Sequence, residues 1–316
     1  MNCCNSGSHK FISTEPPKIK VIDQHHRVGC NVPLKSTIMK TLSQPISQGS
    51  HCVQFYLGPT NKYICSNINN YDRLKSIDYC DKYGKSFYVH CPNNTNRARE
   101  QNNGILIGTS NIIQKELYQI RDMPGSCIVH IGAKGTINNV VNNLNDLNIT
   151  RGTHHRAEKK LILENAAGAG TKLGWNWEQL RHIYEGIDKN TIGLCIDTQH
   201  IFGAGTNSLQ NHEDVVKLFD MAQSVYGRNP DVIHLNDSKV PFGNRVDRHE
   251  GLRRGHIWYH SDEGLKSLLN YCYDEDIDLI LETPTSSTDL YDIRTKYMDL
   301  DTIDTYVNKL KINKNK

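Results

Sequence analysis

Eight short runs of apolar residues, each carrying a polar residue or glycine near its end, recur along the chain. They lie at 27–34 (RVGCNVPL), 51–57 (HCVQFYL), 86–92 (SFYVHCP), 127–132 (CIVHIG), 161–168 (LILENAAG), 192–200 (IGLCIDTQH), 231–237 (DVIHLND) and 278–284 (DLILETP). Near-continuous apolar runs of this length mark parallel strands buried on both faces. The segments between them are long enough for crossover helices, as at 96–120 and 211–227, where the apolar spacing is helical. Eight such strand-then-helix units predict one (β/α)₈ barrel spanning 25–308. The stretches 1–24 and 309–316 are polar and read as tails.

The polar residues at the ends of these runs bring in the chemistry. His90, His130, Glu164, Asp197, His234 and Glu282 each stand at or near the C-terminal end of a predicted strand, and His200 follows Asp197 by three. The segment after the seventh strand, NDSKVPFGNRVDRHEG, adds Asp247 and His249. In a β/α barrel the C-terminal strand ends share one face, which holds the active site. Four carboxylates crowded there repel one another unless cations intervene. Imidazole and carboxylate without thiolate suit zinc, or manganese where oxygen dominates. Nine ligands exceed the needs of one tetrahedral ion; with one carboxylate shared they serve two or three.

Each residue also has an ordinary reading. A single strand-end histidine is more often a hydrogen-bonded structural residue than a ligand. Asp197 could cap a helix, Glu282 could pair with an arginine, and Asp247-Arg248-His249 could be a solvated turn. These readings must hold independently at seven places on one rim, which makes the shared site the better account. The stretch from Lys239 to His256 is densest in basic residues, with Lys239, Arg245, Arg248, Arg253 and Arg254. Beside a metal cluster it reads as a phosphate clamp, because arginine offers oxyanions a two-pronged fork. ENAAGAG at 164–170 needs only a tight turn. The pairs His25-His26 and His154-His155 read as surface or loop residues, and Trp175 and Trp177 as packing at a helix start. Cys30, Cys52, Cys91, Cys127 and Cys195 read as small buried groups.

Composition narrows the class. Hydrophobic residues are 37% and charged residues 22%, enough for a packed core. A net charge of +3 does not announce nucleic-acid binding, so any basic surface must be local. The ten cysteines include no CxxC pair, which fits a reducing, intracellular location. No 18-residue apolar run suggests a membrane span, and the N-terminus lacks the apolar stretch of a signal peptide.

The segments LILENAAGAG, CIDTQHIFGAG, HLNDSK, DRHEG and LETP together resemble the signatures of the endonuclease IV family of apurinic/apyrimidinic endonucleases. The resemblance covers roughly 27–285. It implies a (β/α)₈ barrel holding three zinc ions, with manganese admissible at one site. It places His90, His130 and Glu164 on the first ion. Glu164, Asp197, His234 and Glu282 share the second, and His200, Asp247 and His249 hold the third. Glu164 and Glu282 are the catalytic candidates. Lys62, Lys239, Arg248, Arg253 and Arg254 are the candidates for contacting DNA. The implied substrate is double-stranded DNA with an abasic site, cut on the 5′ side by a monomeric enzyme. The chain departs from the family pattern at Cys30-Asn31, at His90-Cys91-Pro92-Asn93, at His130-Ile131-Gly132 and in YLGPTNKY at 56–63. These changes spare the metal positions and alter the loops that would grip DNA. Two rival readings are a sugar isomerase or epimerase of the xylose-isomerase type, which needs no third ligand trio, and a catalytically silent DNA-binding barrel.

Overall fold

The computed structural model describes residues 26–158 and 160–297; the predicted tails and His25 lie outside the described residues. Eight parallel strands close into a barrel: β1 (Val28–Asn31), β2 (Val53–Phe55), β3 (Phe87–His90), β4 (Gly125–His130), β5 (Leu161–Glu164), β6 (Ile192–Asp197), β7 (Val232–His234) and, last in the chain, β10 (Asp278–Leu281). All eight predicted strands are present, each ending before its apolar run does. The ring is closed by Val28–Cys30 of β1 pairing with Leu279–Leu281 of β10.

Helices follow the strands in turn: α1 (Ile38–Ser47), α2 (Asn70–Tyr83), α3 (Gly104–Gln119), α4 (Ile137–Asn145), α5 (Trp177–Gly186), α6 (Thr198–Ala204), α7 (His212–Tyr226), α8 (Glu263–Asp274) and α9 (Ser286–Asp292). Side-chain caps set where many of them start. Thr37, Asn69, Asn103, Thr136, Asn176 and Asn211 each accept a backbone N–H of the first turn. The β7-to-α8 connection carries a small antiparallel pair, β8 (Asp237–Ser238) and β9 (His249–Glu250), in the register Asp237 opposite Glu250 and Ser238 opposite His249.

The period-two alternation of a strand builds the interior in layers. Val53, Phe55, Phe87, Val89, Leu161, Leu163, Leu279 and Leu281 point outward and pack under the helices in the main core. Cys52, Tyr88, Ile128, Ile162, Cys195, Val232 and Ile280 form a separate apolar layer inside the barrel. Two residues further along each of those chains stand Gln54, His90, His130, Glu164, Asp197, His234 and Glu282. The polar layer of the barrel is therefore the next storey above an apolar one, at its C-terminal mouth. The strand cysteines are buried, as expected. His26 departs from its surface reading: it is buried, and its Nδ1 accepts the N–H of Val28.

Candidate metal centre

The nine side chains named from the sequence come together at the barrel mouth. Seven of them, with Asn31, Tyr56, Asn93 and Lys172, line a cavity of about 280 Å³, and Asp197 and His234 lie buried beneath it. Glu164 is the hub, and its two oxygens face different partners. Oε2 lies 3.2 Å from His90 Nε2 and 3.2 Å from His130 Nδ1. Oε1 lies 3.3 Å from His234 Nδ1, which is itself 3.2 Å from Glu282 Oε2 and 3.9 Å from Asp197 Oδ2. A third group forms around Asp247 Oδ1, 3.3 Å from His200 Nε2 and 3.6 Å from His249 Nε2, with Asp197 Oδ2 3.5 Å from His249.

These separations fit divalent ions. Two atoms each about 2.0–2.1 Å from a tetrahedral ion stand about 3.3 Å apart. The donor set of five imidazoles and four carboxylates is the nitrogen–oxygen mixture such ions take. Two donors also lack any other use: His200 Nε2 and His249 Nε2 are buried with no hydrogen-bond partner. Imidazole orientation is fixed from behind, since an oxygen that only accepts forces the proton onto the nitrogen facing it. His90 Nδ1 donates to Cys91 O at 2.7 Å, His200 Nδ1 to Asn165 O at 2.9 Å, and His234 Nε2 to Gln54 Oε1 at 2.9 Å. In each case the other nitrogen points into the cluster.

The protein's own charges show how strained the set is when only protons balance it. Burial opposes ionisation of Glu164, yet His130 and His234 hold it well below the usual carboxylate range. Burial likewise disfavours the His200 imidazolium, but Asp197 and Asp247 outweigh it and raise the group to about 10. His130 goes the other way, to about 4, because burial and the neighbouring His90 and His200 cations exceed the pull of Glu164.

The ordinary reading of Asp197 holds, and it leaves one oxygen facing the cluster. Its Oδ1 accepts the N–H of His200 as the cap of α6, while Oδ2 faces the histidines and accepts from Asn236 Nδ2 at 2.8 Å. The Asp247–His249 segment is not a solvated turn. β9 pairs with β8, Arg245 N–H donates to Gly203 O at 2.8 Å, and Gln199 Nε2 donates to Val246 O at 2.9 Å, tying the loop to α6. Buried Asp237 accepts from the N–H groups of Ser238, Gly255 and Ile257, closing the loop's base.

Of the five basic candidates, all are exposed. Lys239 and Arg248 sit opposite each other in the hairpin, Lys239 N–H donating to Arg248 O. Arg253 and Arg254 follow in the same loop, and Arg253 has a left-handed backbone, with φ 62°. Lys62 lies in the loop after β2, which meets the cavity wall where Asn93 N–H donates to Thr60 O. Arg245 lies 3.9 Å over the ring of Trp175, so that tryptophan supports the loop, while Trp177 is buried at the start of α5 as expected.

Sequence reasoning missed three residues of the site. Gln54 is fully buried and bridges two candidate ligands, its Oε1 on His234 and its Nε2 donating to Glu282 Oε1 at 2.6 Å. Its signal was its place two residues after Cys52, in the same storey as the histidines. Lys172 donates to Asp247 Oδ2 at 2.9 Å. Tyr56 packs against His90, with ring centroids 5.0 Å apart and planes tilted by 36°, and donates to Asn93 Oδ1 at 2.9 Å; neither showed any metal-binding pattern in the sequence.

Comparison with known proteins adds the lineage. A family profile described as xylose isomerase-like TIM barrel matches residues 70–299. A probable endonuclease 4 of Haloarcula marismortui is 26% identical over 284 residues, covering 83% of this chain and 93% of that protein. The structure of endonuclease IV from Thermus thermophilus superposes with a TM-score of 0.71 at 20% identity, covering 90% of this chain and 99% of that one. A D-tagatose 3-epimerase-like protein superposes at 0.61 with 16% identity, covering 89% and 99%. At such identities the two superpositions establish the shared barrel.

Proposed function

The chain belongs to the xylose isomerase-like TIM barrel family, and we propose that within it this protein is a DNA-repair endonuclease that hydrolyses the backbone at abasic sites with zinc. One observation carries the reading: a third donor group is built beside the first two, joining His200 of α6 to Asp247 and His249, which lie on the same loop as Lys239, Arg248, Arg253 and Arg254. A sugar-isomerising barrel works with one or two ions and has no use for that trio. A silent binding barrel would leave buried carboxylates and imidazoles crowded without purpose. The resemblance of most of the chain to a probable endonuclease 4 supports the same choice.

On this reading His90, His130 and Glu164 hold one ion, Glu164, Asp197, His234 and Glu282 a second, and His200, Asp247 and His249 a third. When bound, the ions supply Lewis-acid stabilisation of phosphate charge and bring the pKa of water towards 7. The rest falls to the chain itself. Glu164 keeps the first two groups in register through its two oxygens. Lys172, on the cavity wall, and the loop arginines, on the same loop as Asp247 and His249, orient the phosphodiester for attack from the side opposite the leaving oxygen. Tyr56 and Asn93 wall a cavity of about 280 Å³, room for a sugar without its base. A nucleotide lacking its base has lost most of its stacking, so turning it out costs less than the few kcal/mol an intact one demands. The cut falls 5′ to the lesion and leaves a 3′-hydroxyl and a 5′-deoxyribose phosphate.

Metal content tests this reading against its rival. The purified protein is expected to carry close to three divalent ions per chain, mainly zinc, and His249→Ala to carry about one fewer. A protein saturated by one ion, with His249→Ala unchanged, would return the chain to the sugar-isomerase reading.

A further inference from the structure

The segment between β3 and α3 buries an arginine that the proposed reaction does not use. Arg97 is 1% exposed. Its backbone is locked in place: its N–H donates to Ile131 O at 3.0 Å, and its carbonyl accepts from Asn143 Nδ2 of α4 at 2.7 Å. Nη1 of the guanidinium donates to Ser110 Oγ of α3 at 2.6 Å. Nε is buried with no partner, and Nη2 has none among the described residues. The other buried arginine among the described residues is neutralised: Arg73 pairs with Asp122 at 2.6 Å. Among the described residues Arg97 has no carboxylate in contact. A buried charge without a counter-ion costs several kcal/mol, and burial lowers this guanidinium to about 10.

Arg97 lines a cavity of about 390 Å³ between α3 and α4, together with Leu106, Ile107 and the polar side chains of Gln101, Ser110, Asn111, Asn143 and Asp146. Asp146 is the acid of this wall. It is exposed, it accepts from Gln101 Nε2 at 3.0 Å, and it acts on Arg97 only at a distance.

We propose that this cavity is an anion site, in which the unpartnered Nε–Nη2 edge of Arg97 binds a phosphate group two-pronged, with the Gln101 and Asn111 amides as neighbouring donors. A planar fork with both prongs free is the arrangement that takes phosphate oxygens bidentately. The phosphate comes either from free phosphate or a monoester, or from the backbone of a nucleic-acid strand. The site shares no residue with the barrel-mouth cluster and stands whether or not the nuclease reading does.

The test follows the melting temperature of the metal-loaded protein as inorganic phosphate replaces chloride at constant ionic strength, since a ligand that binds only the folded state stabilises it. Wild type is expected to rise with phosphate by clearly more than Arg97→Met. Without phosphate, Arg97→Met should be at least as stable as wild type, because an unpaired buried charge has been removed. Asp146→Asn, which takes a repelling carboxylate off the wall, should bind phosphate several-fold more tightly. An equal phosphate response in wild type and Arg97→Met would overturn the proposal, as would an unchanged response in Asp146→Asn. So would marked destabilisation of phosphate-free Arg97→Met, which would mean that the guanidinium is satisfied within the fold. Duplex binding separates the two sources. If the phosphate belongs to a nucleic-acid backbone, Arg97→Met flattens the slope of log affinity against log salt by about 0.9. If it is free phosphate or a monoester, the slope stays and only the phosphate response is lost.

Discussion

Glu164 touches more of the candidate ligands than any other residue, with one oxygen 3.2 Å from both His90 and His130 and the other 3.3 Å from His234. Glu164→Ala should therefore lose metal from two groups at once and lower activity by several orders of magnitude, where a terminal ligand such as His130→Ala costs less. Metal analysis alongside turnover checks the ranking; near-normal turnover in Glu164→Ala would remove the shared carboxylate from the account. Gln54 makes a sharper residue-scale case. Its amide orients His234 and Glu282 from behind, and losing such a partner typically weakens metal binding 10–100-fold. Gln54→Leu should do so in a chelator-competition titration while the fold is kept, and an unchanged affinity would show that the amide only fills space. The nine ligand candidates were legible because imidazoles and carboxylates at strand ends are chemically conspicuous. Gln54 was not, because a glutamine in an apolar run signals nothing by type; only its two-residue offset from an inward-facing Cys52 placed it.

At the scale of elements, the loop from Lys239 to His256 combines two roles that should fail differently. His249→Ala removes a ligand, so it should lower turnover and metal content while leaving much of the DNA affinity. Arg254→Ala should keep the metals and weaken DNA binding, flattening the salt dependence by about 0.9 per phosphate contact. Surface substitutions without such roles stay within roughly 0.5 kcal/mol, so silence at both positions would show that the loop has neither role. The sequence showed the composition of this loop but not its rigidity, which comes from the β8–β9 pairing and bonds to α6 formed by residues distant in the chain.

A second element-scale device escaped the sequence entirely. Lys160 is buried just before β5, and its Nζ donates to the carbonyls of Ile120, Met123 and Gly125, at 3.1, 2.6 and 2.9 Å, pinning the turn between α3 and β4. Burial lowers its pKa from 10.5 to about 8, against the opposing pull of Cys127 and Asp122. The unfolded chain then holds more protons than the folded one between pH 8 and 10.5, so the stability contributed by this group rises with pH across that window and is lost as pH falls back through it. The stability difference between wild type and Lys160→Met should change by up to about 3 kcal/mol over that range, in favour of wild type as pH rises, at about 1.36 kcal/mol per pH unit. A difference independent of pH would show that the lysine is not perturbed in the folded state.

At the scale of the whole molecule, the barrel was readable because parallel strands buried on both faces leave unbroken apolar runs, and all eight appear where those runs lie. Their lengths were not readable: each run continues past its strand into the loop or helix that carries the site, as at 192–200, where Asp197 ends β6 and Thr198 begins α6. Fold alone does not choose the reaction, since an epimerase-like protein and an endonuclease IV share this barrel. The choice rests on the mouth of the barrel, where three donor groups and a tethered basic loop meet. The most direct measurement is incision of an end-labelled duplex carrying one synthetic abasic site beside the same duplex without it. The account predicts a single cut immediately 5′ to the lesion, leaving an end that a polymerase extends, with the intact duplex untouched and the activity lost on prolonged chelation. No incision by the metal-loaded protein, or equal cutting of both duplexes, would contradict it.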